Sequence, residues 1–482
     1  MKSQKKSQEG VNVKKDKNFS RWYTELIIKT ELADYSSVSG CIIFRPLSFQ
    51  IWEKIKHECD KRFKKIGVKN SYFPLLIPEK AFAKEQEHVE GFTPEVAWVT
   101  QTGNKKLKER LAIRPTSEAI MYESYSKWIR SHRDLPLKLN QWNNVVRWEF
   151  NNPVPFFRTR EFLWNELHTA LATEKKALEE IKQVRKIYEE VVEEFMALPG
   201  MYGRKTDKEK FAGAIFSEKI HYVLPNGKII EGPCCHHDGQ NFAKAYDIKF
   251  KDEKGKQEYV WQNTYAISTR MLGTMFAIHS DDKGLVIPPK IAENKVVIIP
   301  IIFDKTKDKV LKEANKIKKE LSDFSPILDD RTDSPGRKYS EWELKGIPIR
   351  IEIGPRDLEK KQAIVVKRND LKKQIIKIKD LKKQIPKMLE GMQKQLYKKA
   401  EKVLKSSIEK TENKSQLINH IKNKKMVLIP MCKSHKCEDV LKSDTGGAKT
   451  LFIDPKNSSV KGKKCIVCKK PAKYWVYVGK SY

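Results

Sequence analysis

The clearest alternation of apolar and polar positions predicts two long helices. Ile51, Ile55, Cys59, Phe63 and Ile66 recur at near-helical spacing over residues 49–66. Leu178, Ile181, Val184, Ile187, Tyr188, Val191 and Phe195 do so over 174–197. The first helix leads into an apolar run at 70–76, read as a strand carrying Pro74. Strand-like runs follow at 145–150 and at 221–224 and 228–230, the last two joined across Asn226-Gly227 as a hairpin. Helices segregated from hairpin-linked strands predict an α+β domain on an antiparallel sheet, ending near Pro288-Pro289.

From Lys295 the rhythm changes. Residues 296–302 read as a buried strand, 309–321 as a helix, 326–329 as a strand, 338–345 as a helix, and 347–353 and 363–367 as strands. That alternation predicts a separate α/β domain. A basic amphipathic helix (Ile385, Leu389, Met392, Leu396, Val403, Leu404) then bridges to a last small unit. The expected divisions are a basic flexible tail at 1–18, an α+β domain at 19–290, an α/β domain at 291–384, a linker helix at 385–425 and a C-terminal unit at 426–482.

Charge adds a partner to this picture. Against 62 Asp and Glu the chain carries 96 Lys and Arg, a net charge of +34. Such a field draws polyanions, nucleic acid first among them, although a lysine-rich surface alone would also produce it. No run approaches the roughly 20 apolar residues of a membrane span. The opening residues are basic and polar, unlike a secretory signal. The eight cysteines are spread too unevenly for a secreted disulfide framework, so a reducing, cytoplasmic compartment is expected.

Four of those cysteines point to a metal. Cys432-x4-Cys437 and Cys465-x2-Cys468, twenty-seven residues apart, offer two pairs of thiolates, which suits a structural, tetrahedral Zn2+. His435 lies inside the first loop and is an alternative ligand.

Between 145 and 169 four charges, Arg147, Glu149, Arg158 and Arg160, sit among strand-forming apolar residues. Guanidiniums in such a place suit a bound polyphosphate; an Arg147–Glu149–Arg160 ion-pair network is the alternative. Upstream, Thr116 and Glu118 would share one face of an extended segment and hold a cationic amine, or Thr116 would cap a helix. Ser268-Thr269-Arg270 precedes an apolar helix, which also fits phosphate.

Taken together, these segments resemble the prolyl-tRNA synthetases, class II aminoacyl-tRNA synthetases, from about residue 19 to Tyr482. The helix and strand ending at Pro74 look like motif 1, RWEFNNPVPFFRTRE like motif 2 and STRMLG like motif 3. RPTSEA at 114–119, REFLWNELHTA at 160–170, GQNFAKAYDIKF at 239–250 and DDKGLVIPP at 281–289 look prolyl-specific. WELKGIPIRIEIGPRDL at 342–358 resembles the family's anticodon-binding domain, and the four-cysteine unit its archaeal and eukaryotic-type C-terminal zinc domain. Around 231–238 the chain departs from the family. It has Glu231 for the usual Gln, Cys234 and Cys235 for Thr and Ser, and Asp238 for Leu. Leu167 also interrupts the family's Glu-Gly-His, and Ala266 replaces a common glycine.

The resemblance implies activation of proline by ATP with Mg2+, transfer to tRNA(Pro), a homodimer through motif 1 and no editing module in cis. Arg147 and Arg270 would be catalytic. Thr116, Glu118, Arg147, Trp164, Glu166, His168 and His236 would hold proline. Arg147, Glu149, Arg158, Thr159, Glu231, Cys234, Ser268 and Arg270 would hold ATP. Glu352, Arg356 and Arg368 would meet the anticodon.

Overall fold

The computed structural model describes residues 10–81, 95–149, 152–456 and 458–482. Its largest element is a seven-stranded sheet. The strands are β1 (Lys69–Asn70), β2 (Leu137–Val146), β3 (Glu161–Leu171), β4 (Met201–Arg204), β5 (Phe216–Val223), β6 (Ile229–Gly239) and β7 (Trp261–Ala266). They lie in the order β1-β2-β3-β7-β6-β5-β4, antiparallel except for the short parallel edge β1–β2. The β5–β6 hairpin turns at the expected Asn226-Gly227, where Gly227 has φ 78°. It is longer than apolar content alone suggested, because its outer half carries the polar side chains of a cavity.

Helices α1 (Phe19–Lys29), α2 (Pro46–Lys65), α3 (Glu118–Trp128), α4 (Glu174–Glu194) and α5 (Arg270–His279) pack on this sheet. Pro46 opens α2 at N1, and the Thr173 side chain caps α4. The two predicted helical stripes meet in one core, where Phe63 and Tyr188 touch edge to face with centroids 5.8 Å apart.

Two expected strands are shorter than their apolar runs. Residues 70–76 supply only β1 and the start of Leu76–Pro78, which belongs to a different, three-stranded sheet. Pro74, between them, has no N–H for a ladder. The run at 145–150 stops at Val146, beyond which the Trp148 N–H bonds the Glu95 carbonyl instead; Phe150 lies outside the described residues. Residues 10–18 of the expected tail pack onto the domain. The Lys15 backbone N–H donates to Asp282 at 2.8 Å and its ammonium to the Ser280 carbonyl at 2.6 Å, beside the Trp22 ring. Residues 1–9 lie outside the described part.

The second domain is a five-stranded mixed sheet, β8 (Val296–Pro300), β9 (Ile327–Leu328), β10 (Ile349–Ile353), β11 (Gln362–Lys367) and β12 (Lys373–Lys377), in the order β9-β8-β10-β11-β12. Helices α6 (Lys307–Glu320) and α7 (Pro335–Lys345) lie on opposite faces. Val296 and Ile298 join the core under α6, Val297 and Ile299 the one under α7. Burial on both faces explains the unbroken apolar run.

The long helix α8 (Leu381–Ser406) ends well before the expected 425. Residues beyond it form β13 (Ile408–Lys410) and α9 (Lys414–Lys422), which join β14 (Met426–Met431), α10 (His435–Asp444), β15 (Lys449–Ile453) and β16 (Tyr474–Gly479) in the C-terminal domain. A three-residue strand is too short to leave a periodic signature. The last domain docks against the first. The Ile229 N–H bonds the Lys480 carbonyl at 2.8 Å, and Phe452 lies so close to Gly203 that no Cβ fits there. Among the described residues no helix is long and apolar enough to cross a membrane.

Candidate active site

Strand register assembles the site. In β3, β7 and β6 the residues His168, Thr264 and His236 stand opposite one another in adjacent strands. Residues two apart share a sheet face, so Glu166 and Trp164 follow His168 along β3, and Cys234 follows His236 along β6. These side chains line a cavity of about 830 Å³ together with Thr116, Glu118, Arg147, Glu231, Ser268 and Arg270. Eleven residues expected at the site thus converge from β3, β6, the segment after β2 and the starts of α3 and α5.

One end of the cavity is acidic. Thr116 stands just before α3, with Ser117 at the N-cap position and Glu118 in the first turn. The Thr116 hydroxyl bonds the Glu118 carboxylate and reaches Glu166 at 3.1 Å. Glu166 is saturated from below: it accepts the Ser117 N–H at 2.9 Å, Gln141 Nε2 at 2.9 Å, Asn143 Nδ2 at 2.7 Å and the Ser117 hydroxyl. These bonds tie Glu166 to the Thr116–Glu118 turn while it still lines the cavity. His168 Nδ1 lies 3.0 Å from the Tyr122 hydroxyl, and His236 Nδ1 lies 2.7 Å from Ser217 Oγ. Burial, with Lys219 next, holds the His236 pKa down to about 3, so that ring is neutral. Asp238 is buried behind this end, and its pKa is pushed well up by burial and by Glu118.

The other end is cationic. The Arg147 guanidinium lies 5.1 Å from the Trp164 ring centroid and 5.5 Å from that of Phe162, while its Nε donates to the Pro115 carbonyl at 2.9 Å. Among the described residues Arg147, Glu149 and Arg160 form no ion pair with one another, so the network alternative falls. Arg270 opens α5 and donates to the carbonyls of Glu231 and Phe157, each at 3.3 Å. Glu231 itself bridges Lys205 (2.6 Å) and Lys219 (2.7 Å). Burial works to raise its pKa, but the two ammonium groups hold it well below the carboxylate range. Burial raises Cys234.

Other expected positions lie elsewhere. Glu149 is exposed, Thr159 is buried beneath the site, and Arg158 donates to the Tyr482 carbonyl at 2.7 Å. None of the three lines the cavity. Glu352 is buried against Arg350, and Arg368 pairs with Asp281 at 2.6 Å, whereas Arg356 is exposed. Sequence reasoning missed Phe162, Lys205, Lys219, Thr264 and the loop 207–212. His435, read from the sequence as an alternative zinc ligand, instead lines the cavity from the C-terminal domain. Only the register of β5 against β6 could have signalled Lys219, which stands opposite Cys234.

The Sγ atoms of Cys432, Cys437, Cys465 and Cys468 lie within 4.8 Å of one another, and among the described residues no other group of metal-ligating side chains comes together. Pairs at 3.5 and 3.8 Å match the edge of about 3.8 Å that a tetrahedral Zn–S site of about 2.3 Å bonds requires. Four cysteine sulfurs converging at these distances fit Zn2+. His435 faces away, into the cavity.

Residues 98–279 match the tRNA synthetase class II core domain (G, H, P, S and T), 295–388 an anticodon binding domain, and 415–482 the prolyl-tRNA synthetase C-terminal domain. The chain is 45% identical to the cytoplasmic proline–tRNA ligase of Arabidopsis thaliana, covering 98% of this chain and 91% of that one. It is 44% identical to the proline–tRNA ligase of Ruminiclostridium cellulolyticum, over 96% and 97%. To the bifunctional glutamate/proline–tRNA ligase of Mus musculus it is 40% identical, over 99% of this chain and 33% of that one. With its catalytic core, anticodon-binding domain and four-cysteine C-terminal domain in that order, the chain belongs to the proline–tRNA ligase family of class II aminoacyl-tRNA synthetases.

Proposed function

We propose that this chain activates proline with ATP and transfers it to the 3′ end of tRNA(Pro). The observation that carries the reading is the polarity of the cavity. A carboxylate and hydroxyl pair (Glu118, Thr116) suits a protonated secondary amine, and Arg147, Lys219 and Arg270 suit a triphosphate. In the first step a proline carboxylate oxygen attacks the α-phosphorus and pyrophosphate leaves. In the second, a ribose hydroxyl of the tRNA attacks the prolyl carbonyl and AMP leaves. Negative charge builds on the phosphorus, so fixed cations lower the barrier more than a proton shuttle would. Arg147, between Trp164 and the Pro115 carbonyl, is the residue to span carbonyl and α-phosphate. Arg270 would take the γ-phosphate and Ser268 and Cys234 would flank the nucleotide, whereas Arg158, Thr159 and Glu149, outside the cavity lining, would reach it only if their loop moved. Trp164, His168 and His236 would enclose the ring, with His236 neutral.

Both Glu231 oxygens are already taken by lysines, so Mg2+ would be held chiefly by the phosphate oxygens of ATP, where it neutralises charge. Zn2+ at the four cysteines would be structural. Residues between β3 and β7 are spent on α4, strands of the same sheet and a small hairpin, which supports activation without an editing module. Exposed Tyr35, Val38, Ile43 and Phe49 beside the start of α2 support a homodimer through motif 1. Of the three candidate anticodon residues, the exposed Arg356 suits contact best. A cytoplasmic location accords with the relative in Arabidopsis thaliana, a cytoplasmic proline–tRNA ligase. The test is ATP–pyrophosphate exchange across all twenty amino acids: exchange with proline is expected, and none with any amino acid from folded, metal-loaded protein would overturn the reading.

A further inference from the structure

The loop 205–214 carries Asp207 to Ala212 into the cavity, yet its middle is held from outside the catalytic domain. The side-chain bonds of Thr206, Lys208 and Glu209 all run to residues 435–450. The Thr206 hydroxyl donates to the buried Glu438 carboxylate at 3.0 Å and lies 3.4 Å from that of Thr450. Lys208 pairs with Asp439 and reaches the His435 carbonyl at 3.4 Å, and Lys449 pairs with Glu209 at 3.0 Å. Glu438 and Asp439 follow Cys437 directly in α10, so the four-cysteine cluster fixes the helix that presents them.

On the cavity side the loop bears on the acidic end. Ser217 Oγ accepts the Phe211 N–H at 2.8 Å and meets His236 Nδ1 at 2.7 Å, and the Phe211 and His236 rings lie 5.1 Å apart. The geometry points to the C-terminal metal module as the clamp that positions this loop, and through Phe211 and His236 the amino-acid pocket, with little effect on the phosphate end. Glu438, Asp439 and Lys449 are positioning residues. The inference rests on the proline-activating reading for its substrate but not for its mechanics.

The test uses the full chain with Asp439→Lys and Lys449→Glu combined, which turns two attractions into two repulsions at exposed or half-exposed sites and leaves the cysteines intact. Three quantities are measured: zinc content, the KM for proline and for ATP in pyrophosphate exchange, and the rate of chymotryptic cleavage after Phe211. Expected are retained zinc, a KM for proline raised about three- to tenfold with that for ATP within about twofold, and faster cleavage. Adding Lys208→Asp and Glu209→Lys should restore resistance to cleavage. An unchanged KM for proline with wild-type cleavage, or both KM values rising together, would overturn the clamp. Absence of proline-dependent exchange in the wild type would instead sink the activity reading, while the cleavage comparison would still decide the clamp.

Discussion

Glu231→Gln tests the electrostatics of the cationic end most directly. The carboxylate lies between two ammonium groups at 2.6 and 2.7 Å, with the Lys205, Lys219 and Glu231 side chains 1%, 23% and 18% exposed. Glutamine keeps the shape and one acceptor, but its amide NH2 would face the second lysine donor to donor. Removing one partner of a buried pair costs about 3–5 kcal/mol because the other charge is left uncompensated. The retained acceptor places the expectation near 3 kcal/mol. At about 2–4 °C per kcal/mol for a domain of this size, the melting temperature should fall by roughly 6–12 °C. Because Glu231 is held below its unfolded pKa, its contribution is complete above about pH 4.3 and is lost only as pH falls further. The deficit should therefore be constant from pH 6 to 8. ATP supplies new counter-charge to the stranded Lys219, which lines the cavity, so saturating ATP should raise the variant's melting temperature more than the wild type's. Melting would be followed by circular dichroism with and without ATP. A variant that melts within a degree of wild type, or gains no more from ATP, would refute the reasoning.

Three further outcomes are expected. Burial holds the pKa of His221 and His236 at about 3 and of His279 at about 4. These rings are neutral in the fold and charge on unfolding, so stability is complete above about pH 6.5 and lost below it, by about 1.4 kcal/mol per pH unit for each histidine; urea titrations at pH 7, 6 and 5 should show the steepening, and a flat profile would contradict it. Cys468→Ser should abolish zinc retention in metal analysis and expose the backbone amides of β14 and β16 to hydrogen exchange, whereas full metal content would refute the site. Ile43→Asp, at a side chain 51% exposed beside Tyr35, should convert a dimer to monomers in light scattering; a variant that remains dimeric would place the interface elsewhere.

The long helices were legible because one face of each is buried, as the shared core of Phe63 and Tyr188 shows. The Asn226-Gly227 turn was legible from local backbone chemistry alone. Arg147 stood out as charge among apolar neighbours, whereas Arg270 was marked only by the small polar residues before it at a helix start. Lys219 and Thr264 did not stand out, because cross-strand register places them in the cavity, and the loop 207–212 did not, because its partners lie in residues 435–450; no single segment displays either. Glu166 lines the cavity as expected, but the bonds that hold it there come from Ser117, Gln141 and Asn143, residues 23 to 49 positions away, which no local segment displays. For Thr116 and Glu118 the residues left an extended segment and a helix start both open; the helix start is the one formed, with Ser117 rather than Thr116 at the cap position, and the Thr116 hydroxyl bonds the Glu118 carboxylate.

The docking of the last domain on the hairpin β5–β6 also has a consequence in time. The partners of Thr206, Lys208, Glu209 and Ile229 lie some 230 to 250 positions further along the chain. At a synthesis rate of about 5–20 residues per second, the catalytic sheet waits roughly 10–50 s on the ribosome before its flank and the loop over its pocket can be completed. A nascent chain still short of its C-terminal domain would hold an unfinished amino-acid site, so premature capture of substrate during translation is disfavoured by the order of the sequence itself.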